Sequence, residues 1–153
     1  MKVESTDFEN GKRLPDRFAF DHQNQSPALS WTEVPEGTKE LALICDDPDA
    51  PMGTWVHWVL YRIPANVTRL EAGIPKQPTL AQLGGAKQGQ NGFRQTGYDG
   101  PRPPAGPVHR YYFKLYALSE ALDLKPGANA AALQRAMKGK VLAEAQIMGT
   151  YSR

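Results

Sequence analysis

The sequence predicts a mostly β protein, an antiparallel two-sheet β-sandwich with one or two short helices. Short runs of apolar, β-branched and aromatic residues recur along the 153 residues. Helical periodicity occurs in only one stretch, near the C-terminal end. No helical pattern separates the strand-like runs between residues 41 and 62, which argues against the parallel sheet of an α/β fold. The length is that of one domain, spanning residues 1–153.

Six runs have the composition of β-strands, and the later ones are the most apolar. The predicted strands are residues 3–8, 17–20, 28–31, 41–45, 56–61 and 111–118. The run 56–61 is β-branched and aromatic on both faces, which suits a central strand that is covered on both sides. The run 111–118 is the strongest candidate because it contains a single lysine among aromatic and aliphatic residues.

The single helical pattern lies after residue 128. Ala130, Leu133 and Met137 fall at positions i, i+3 and i+7. Asn129 is a candidate N-cap, and Gly139 is a candidate stop. This spacing predicts one helix of about three turns.

The last segment and the middle of the chain have no helical period. Residues 143–151 alternate in a period of two, which predicts a closing strand, although residues 141–145 could instead extend the helix. Residues 64–108 are dense in proline and glycine, so we expect a long irregular connection there. Loops of such length inside a compact domain are usually functional or disordered.

Composition excludes several classes of protein. The 18 basic and 16 acidic residues give a net charge of only +2, with no long basic run, so we expect no nucleic-acid partner. A single cysteine, Cys45, excludes an internal disulfide. No apolar stretch is long enough to span a membrane, and acidic residues stand where a signal peptide would be apolar. We therefore expect a soluble, cytoplasmic protein.

Two of the three histidines, His57 and His109, lie beside carboxylate, proline and aromatic residues. Side chains alternate along a strand, so His109 and Tyr111 share one face. The turn at residues 48–54 connects Asp47 to the strand that carries His57, and its prolines keep Asp47 at a strand end. The sequence thus makes a polar cluster of these four residues feasible at one rim of the sandwich.

Arg110 points away from the face that carries His109, because neighbouring strand residues alternate. We therefore assign Arg110 to a structural ion pair, with Asp49 as its partner.

Five segments together resemble one known family. They are residues 26–31, 47–51, 55–58, 97–104 and 109–111. In this order and spacing they resemble the phosphatidylethanolamine-binding protein family, in particular its prokaryotic Raf-kinase-inhibitor-like branch (the YbhB/YbcL type). The resemblance extends over nearly the whole chain. It implies a sandwich with a small pocket for phosphate-like anions, such as a phosphoethanolamine head group, and the prokaryotic branch suggests a homodimer.

Carried over to this chain, the resemblance assigns a set of binding residues. The anion-binding residues would be Asp47, His57, His109 and Tyr111, with walls from Ala50, Pro51 and Trp55 and from the loop that runs from Gly100 through Pro103 to Pro104. A phosphate-like anion needs several donors within a small volume. A carboxylate that accepts from one ring nitrogen fixes a histidine so that its other nitrogen can face the ligand.

Two other function classes stay open. A hydrolase or metal-dependent enzyme could use Asp47, His57 and His109. The sequence contains neither a Gly-x-Ser-x-Gly nor a His-Glu-x-x-His motif, so we predict no enzymatic activity and no cofactor. The family name also suggests a regulator of a kinase or protease, whose pocket would accept a phosphorylated side chain.

Overall fold

The computed structural model describes residues 1–153, which form two antiparallel sheets and one α-helix. The strands are β1 (Lys2–Glu4), β2 (Leu29–Thr32), β3 (Glu40–Asp47), β4 (Trp55–Pro64), β5 (Arg69–Leu70), β6 (Thr79–Leu80), β7 (Ala86–Gln88), β8 (His109–Leu118) and β9 (Val141–Tyr151). The helix is α1 (Ala130–Met137), and two 3-10 helices span Asp16–Phe18 and Ala81–Leu83. This architecture, mostly β with two antiparallel sheets, confirms the predicted fold class.

The larger sheet brings the polar strand ends together. Its order is β6-β7-β4-β3-β8-β9, and the smaller sheet has the order β1-β2-β5. The central strand β3 is buried along its whole length and pairs antiparallel with β4 and β8. Because its neighbours run antiparallel, the end of β3 at Asp47 lies beside the starts of β4 and β8. This sheet edge therefore carries residues from all three strands.

Two apolar clusters stabilise the fold, one on each face of the larger sheet. The main cluster of 22 residues lies between the sheets and includes the fully buried Trp58 and Phe113. A second cluster of nine residues lies beneath α1, with Ala130, Leu133 and Met137 as the helix contribution. Burial of side chains of this size contributes about 1.5–3 kcal/mol each.

The helix has the predicted start and end, but the predicted number of turns was too high. The Asn129 side chain accepts a hydrogen bond of 2.9 Å from the Ala132 N–H. After the helix, Gly139 has a φ of +78°, the left-handed conformation that glycine adopts without strain. Eight helical residues make about two turns, not three. The alternative in which the helix continues through 141–145 is wrong, since those residues belong to β9.

Three other expectations from the sequence need correction. The strand predicted at residues 17–20 is a 3-10 turn, in which the Phe18 N–H donates to the Pro15 carbonyl oxygen at 3.2 Å. The first strand ends at Glu4 because the following residues make local contacts, such as the hydrogen bond from the Asp7 N–H to Ser5 Oγ. The connection 64–108 is not wholly irregular, since it contains β5, β6, β7 and a 3-10 helix.

No helix in the structure has the length and apolar character that crossing a membrane requires.

Candidate functional site

A cavity of about 240 Å³ opens at the edge of the larger sheet where β3, β4 and β8 meet. Its walls come from these strands, from the 48–54 turn and from the proline-rich segment before β8. The lining residues are Asp47, Ala50, Pro51, Met52, Trp55, His57, Phe93, Arg102, Pro103, Pro104, His109 and Tyr111.

The floor of the cavity contains a buried carboxylate–histidine pair. His109 Nδ1 lies 2.7 Å from Asp47 Oδ2, and both side chains are about 95% buried. The other carboxylate oxygen, Asp47 Oδ1, accepts the N–H of Asp49 at 2.7 Å. A carboxylate in this arrangement accepts, so the proton sits on Nδ1 and fixes the ring orientation. Nε2 is then the ring nitrogen of His109 that is left for a ligand.

His57 is held by a backbone group. Its Nδ1 lies 2.6 Å from the carbonyl oxygen of Asp99, so Nδ1 donates. The Asp99 side chain is anchored by Asn24 and Asn91, each at 2.8 Å, and by an ion pair with Lys76. Burial lowers the pKa of His57, because the apolar surroundings disfavour the charged ring. His57 is therefore neutral at neutral pH, with Nε2 able to accept, or to donate once protonated.

The hydroxyl of Tyr111 is buried and has no hydrogen-bonding partner in the protein. Burial and the nearby Asp47 carboxylate raise the pKa of Tyr111. The Tyr111 ring packs edge-on against His57, with a centroid distance of 5.2 Å. Because buried hydroxyls nearly always have a partner and the protein supplies none here, a molecule in the cavity can accept this hydrogen bond.

An aromatic wall and one cation complete the cavity. Phe93 contacts Trp55 and His57 at centroid distances of 5.4 and 5.7 Å. Met52 at the mouth is 95% exposed. Arg102 is the one cationic residue of the lining.

Two lining residues, Met52 and Phe93, lie outside the segments predicted to form the pocket, and two more, Arg102 and Pro104, belong to the predicted wall loop without having been singled out in it. Arg102 and Pro104 lie in a segment already singled out by its resemblance to the family. The presence of Arg102 in that segment was the sequence signal from which a cationic lining residue could have been predicted. No local pattern identifies Phe93, which reaches the cavity through the fold of residues 89–97.

Gly100 does not line the cavity, which corrects its predicted place in the wall. It lies behind the wall, where its N–H donates to Asn24 Oδ1 at 2.7 Å. A Cβ at this position would lie 1.8 Å from the carbonyl oxygen of Phe18. The close backbone approach therefore requires glycine. The other predicted wall residues Ala50, Pro51, Trp55 and Pro103 do line the cavity.

Asp49 and Arg110 form an ion pair outside the cavity. Arg110 Nε and Nη2 donate to Asp49 at 2.9 and 2.8 Å, and the Arg110 N–H donates at 2.9 Å. These hydrogen bonds lower the pKa of Asp49 to about 2. The pair ties the turn after β3 to the start of β8.

The site does not resemble a metal centre. No group of three or more His, Cys, Asp or Glu side chains is placed to hold a metal ion. Asp47, His57 and His109 border one cavity, but Asp47 binds His109 and the Nδ1 of His57 is bound to a backbone carbonyl.

Comparisons with known proteins agree with this geometry. The family model for phosphatidylethanolamine-binding protein matches residues 4–152. A UPF0098 protein of Aquifex aeolicus is 48% identical over all of this chain and 89% of its own length. The UPF0098 protein YbhB of Escherichia coli is 40% identical over 99% of this chain and its own full length.

Two solved structures share the fold. Escherichia coli YbcL, described as a member of the mammalian PEBP family, has a TM-score of 0.93 at 33% identity. That match covers 99% of this chain and 98% of YbcL. CT736 of Chlamydia trachomatis, a phosphatidylethanolamine-binding protein homologue, has a TM-score of 0.89 at 35% identity over 99% of this chain and 97% of its own.

Proposed function

This chain belongs to the phosphatidylethanolamine-binding protein family, and from that premise we propose that it is a small binding protein for phosphate-bearing anions. The ligand class includes phosphoethanolamine-like head groups and phosphorylated side chains. The anion would enter the cavity between Asp47, His57, His109 and Tyr111.

The observation that carries the proposal is the unpartnered hydroxyl of Tyr111 in a cavity that also contains two histidines. The Tyr111 hydroxyl borders this cavity without a protein acceptor, so an acceptor atom of a ligand can take its hydrogen bond. Nε2 of His109 and the guanidinium of Arg102 are further groups able to contact an anion. The one carboxylate in the lining, Asp47, already accepts two hydrogen bonds.

His57 gives the site a pH dependence. Its pKa is lowered in the free protein because it is buried. A bound phosphate favours the protonated ring, so binding and proton uptake are linked. Affinity for phosphate should therefore fall as pH rises through the pKa of His57 in the complex.

The exposed apolar rim favours a ligand whose phosphate is attached to a larger group. Met52 and Trp55 are 95% and 37% exposed at the mouth of the cavity. Such side chains can contact the carrier of the phosphate, whether a lipid or a protein side chain. Regulation of a kinase or protease would use the same pocket chemistry.

The test is a titration with inorganic phosphate and with phosphoethanolamine at pH 6 and pH 8, followed through the histidine ring signals. We expect saturable shifts for His57 and His109, with tighter binding at pH 6. His22, exposed in the 21–25 loop, is the internal control and should not shift. No saturable shift at either pH, or an affinity equal at both, would contradict the proposal.

A further inference from the structure

We propose that Arg153 is a positioning residue that, together with Asp21, fixes the segment 102–106, whose residues 102–104 form a wall of the cavity, and thereby sets the affinity for anions. The inference rests on the proposed function of the cavity. Arg153 does not line the cavity, so its effect passes through the wall.

The wall has few attachments of its own. It has no regular secondary structure, and Pro103, Pro104 and Pro107 have no N–H to donate. The backbone of residues 102–108 makes two hydrogen bonds, and both are to Arg153. Arg153 Nε donates to the Pro103 carbonyl oxygen at 2.6 Å, and the Gly106 N–H donates to the Arg153 backbone oxygen at 2.9 Å.

Asp21 connects this attachment to the cation in the cavity. Its carboxylate lies 2.7 Å from Arg153 Nη1 and 3.5 Å from Arg102 Nε. The Arg102 guanidinium also stacks 4.7 Å from the centroid of Phe20. One carboxylate thus contacts two arginines, one of which, Arg102, lines the cavity.

The exposure of these side chains indicates that their contacts position the wall and contribute little to the stability of the folded state. The side chains of Arg153 and Asp21 are 42% and 43% exposed, and exposed ion pairs contribute little to stability. A wall without its attachment must be ordered when a ligand binds, and that cost weakens binding. Loss of Arg153 should therefore lower affinity while leaving the folded state nearly as stable.

The experiment compares Arg153→Met with Arg69→Met in the full chain. Arg69 is a matched control because it is an exposed arginine paired with Glu71, in the smaller sheet. The probes are inorganic phosphate and phosphoethanolamine at pH 6. We expect Arg153→Met to weaken binding of both by about tenfold and to speed amide exchange at Gly106. The thermal midpoint should stay within a few degrees, and Arg69→Met should bind like the wild type.

A conservative variant separates positioning from general loss of charge. Arg153→Lys keeps a positive charge beside Asp21 but does not reproduce the guanidinium geometry that reaches Asp21 and the Pro103 carbonyl together, so it should recover only part of the affinity. Affinity of Arg153→Met within twofold of the wild type, or an equal loss in Arg69→Met, would overturn the inference. Failure of the wild type to bind either probe would instead overturn the proposed function, and this inference with it.

Discussion

Replacing Tyr111 with phenylalanine should separate binding from stability. The hydroxyl is removed from a side chain that is 1% exposed and whose oxygen has no protein partner. No hydrogen bond to a protein group is lost with this hydroxyl. We therefore expect the free energy of unfolding of Tyr111→Phe to stay within about 1 kcal/mol of the wild-type value.

The same substitution should weaken anion binding. A hydrogen bond to a charged acceptor contributes about 1.5–3 kcal/mol. Since about 1.4 kcal/mol corresponds to a factor of ten, the Kd for phosphate should rise at least about tenfold. Urea unfolding monitored by tryptophan fluorescence measures the stability, and the histidine ring titration measures the affinity.

Tyr98→Phe is the matched control. The hydroxyl of Tyr98 is also buried, but it donates to the Phe18 carbonyl oxygen at 2.7 Å. Its removal leaves that carbonyl without a partner, so the protein should lose about 1–3 kcal/mol of stability. Anion affinity should stay within twofold. The opposite pattern, with Tyr111→Phe destabilised by more than about 1 kcal/mol at unchanged affinity, would refute the reasoning.

Three further predictions concern titration and packing. Because burial lowers the pKa of His57, its ring should titrate below about 6.5 in the free protein. Added phosphate should raise the titration midpoint of this ring, measured by NMR. A midpoint above about 6.5 in the free protein would contradict the burial argument. The pKa of Asp49 is lowered to about 2, so its pairing with Arg110 stabilises the fold above about pH 4, and that contribution disappears as pH falls towards 2. Asp49→Asn should therefore flatten the pH dependence of urea unfolding in this range, and an unchanged slope would contradict the pairing. Gly100→Ala places a Cβ 1.8 Å from the Phe18 carbonyl oxygen and should cost about 3 kcal/mol or more in urea unfolding, whereas a stable variant would show that the backbone can move apart.

Local patterns predicted the parts of the fold that depend on neighbouring residues. The strands at 41–45, 56–61 and 111–118 lie inside β3, β4 and β8, because period and composition reflect their burial. The stretch 17–20 was misassigned because its apolar residues suit a strand, while the turn after Pro15 buries Phe18 instead. The short strands β5, β6 and β7 could not be predicted, since two or three residues carry no measurable period.

The candidate site, too, was predicted only in part from the sequence. The sequence by itself determined the fold class, the family and the residue types at the cavity floor, because these follow from periodicity and from motifs of adjacent residues. Alternation along the strand also separated Arg110 from His109. Only the tertiary structure decided that Asp47 binds His109 while His57 binds the Asp99 carbonyl, that the Tyr111 hydroxyl has no partner, and that Arg153 fastens the wall. The three contacts join residues that are 42 or more positions apart in the sequence. The missing partner of Tyr111 likewise depends on which distant groups surround its hydroxyl. Such contacts depend on strand register and loop paths, which no local pattern specifies.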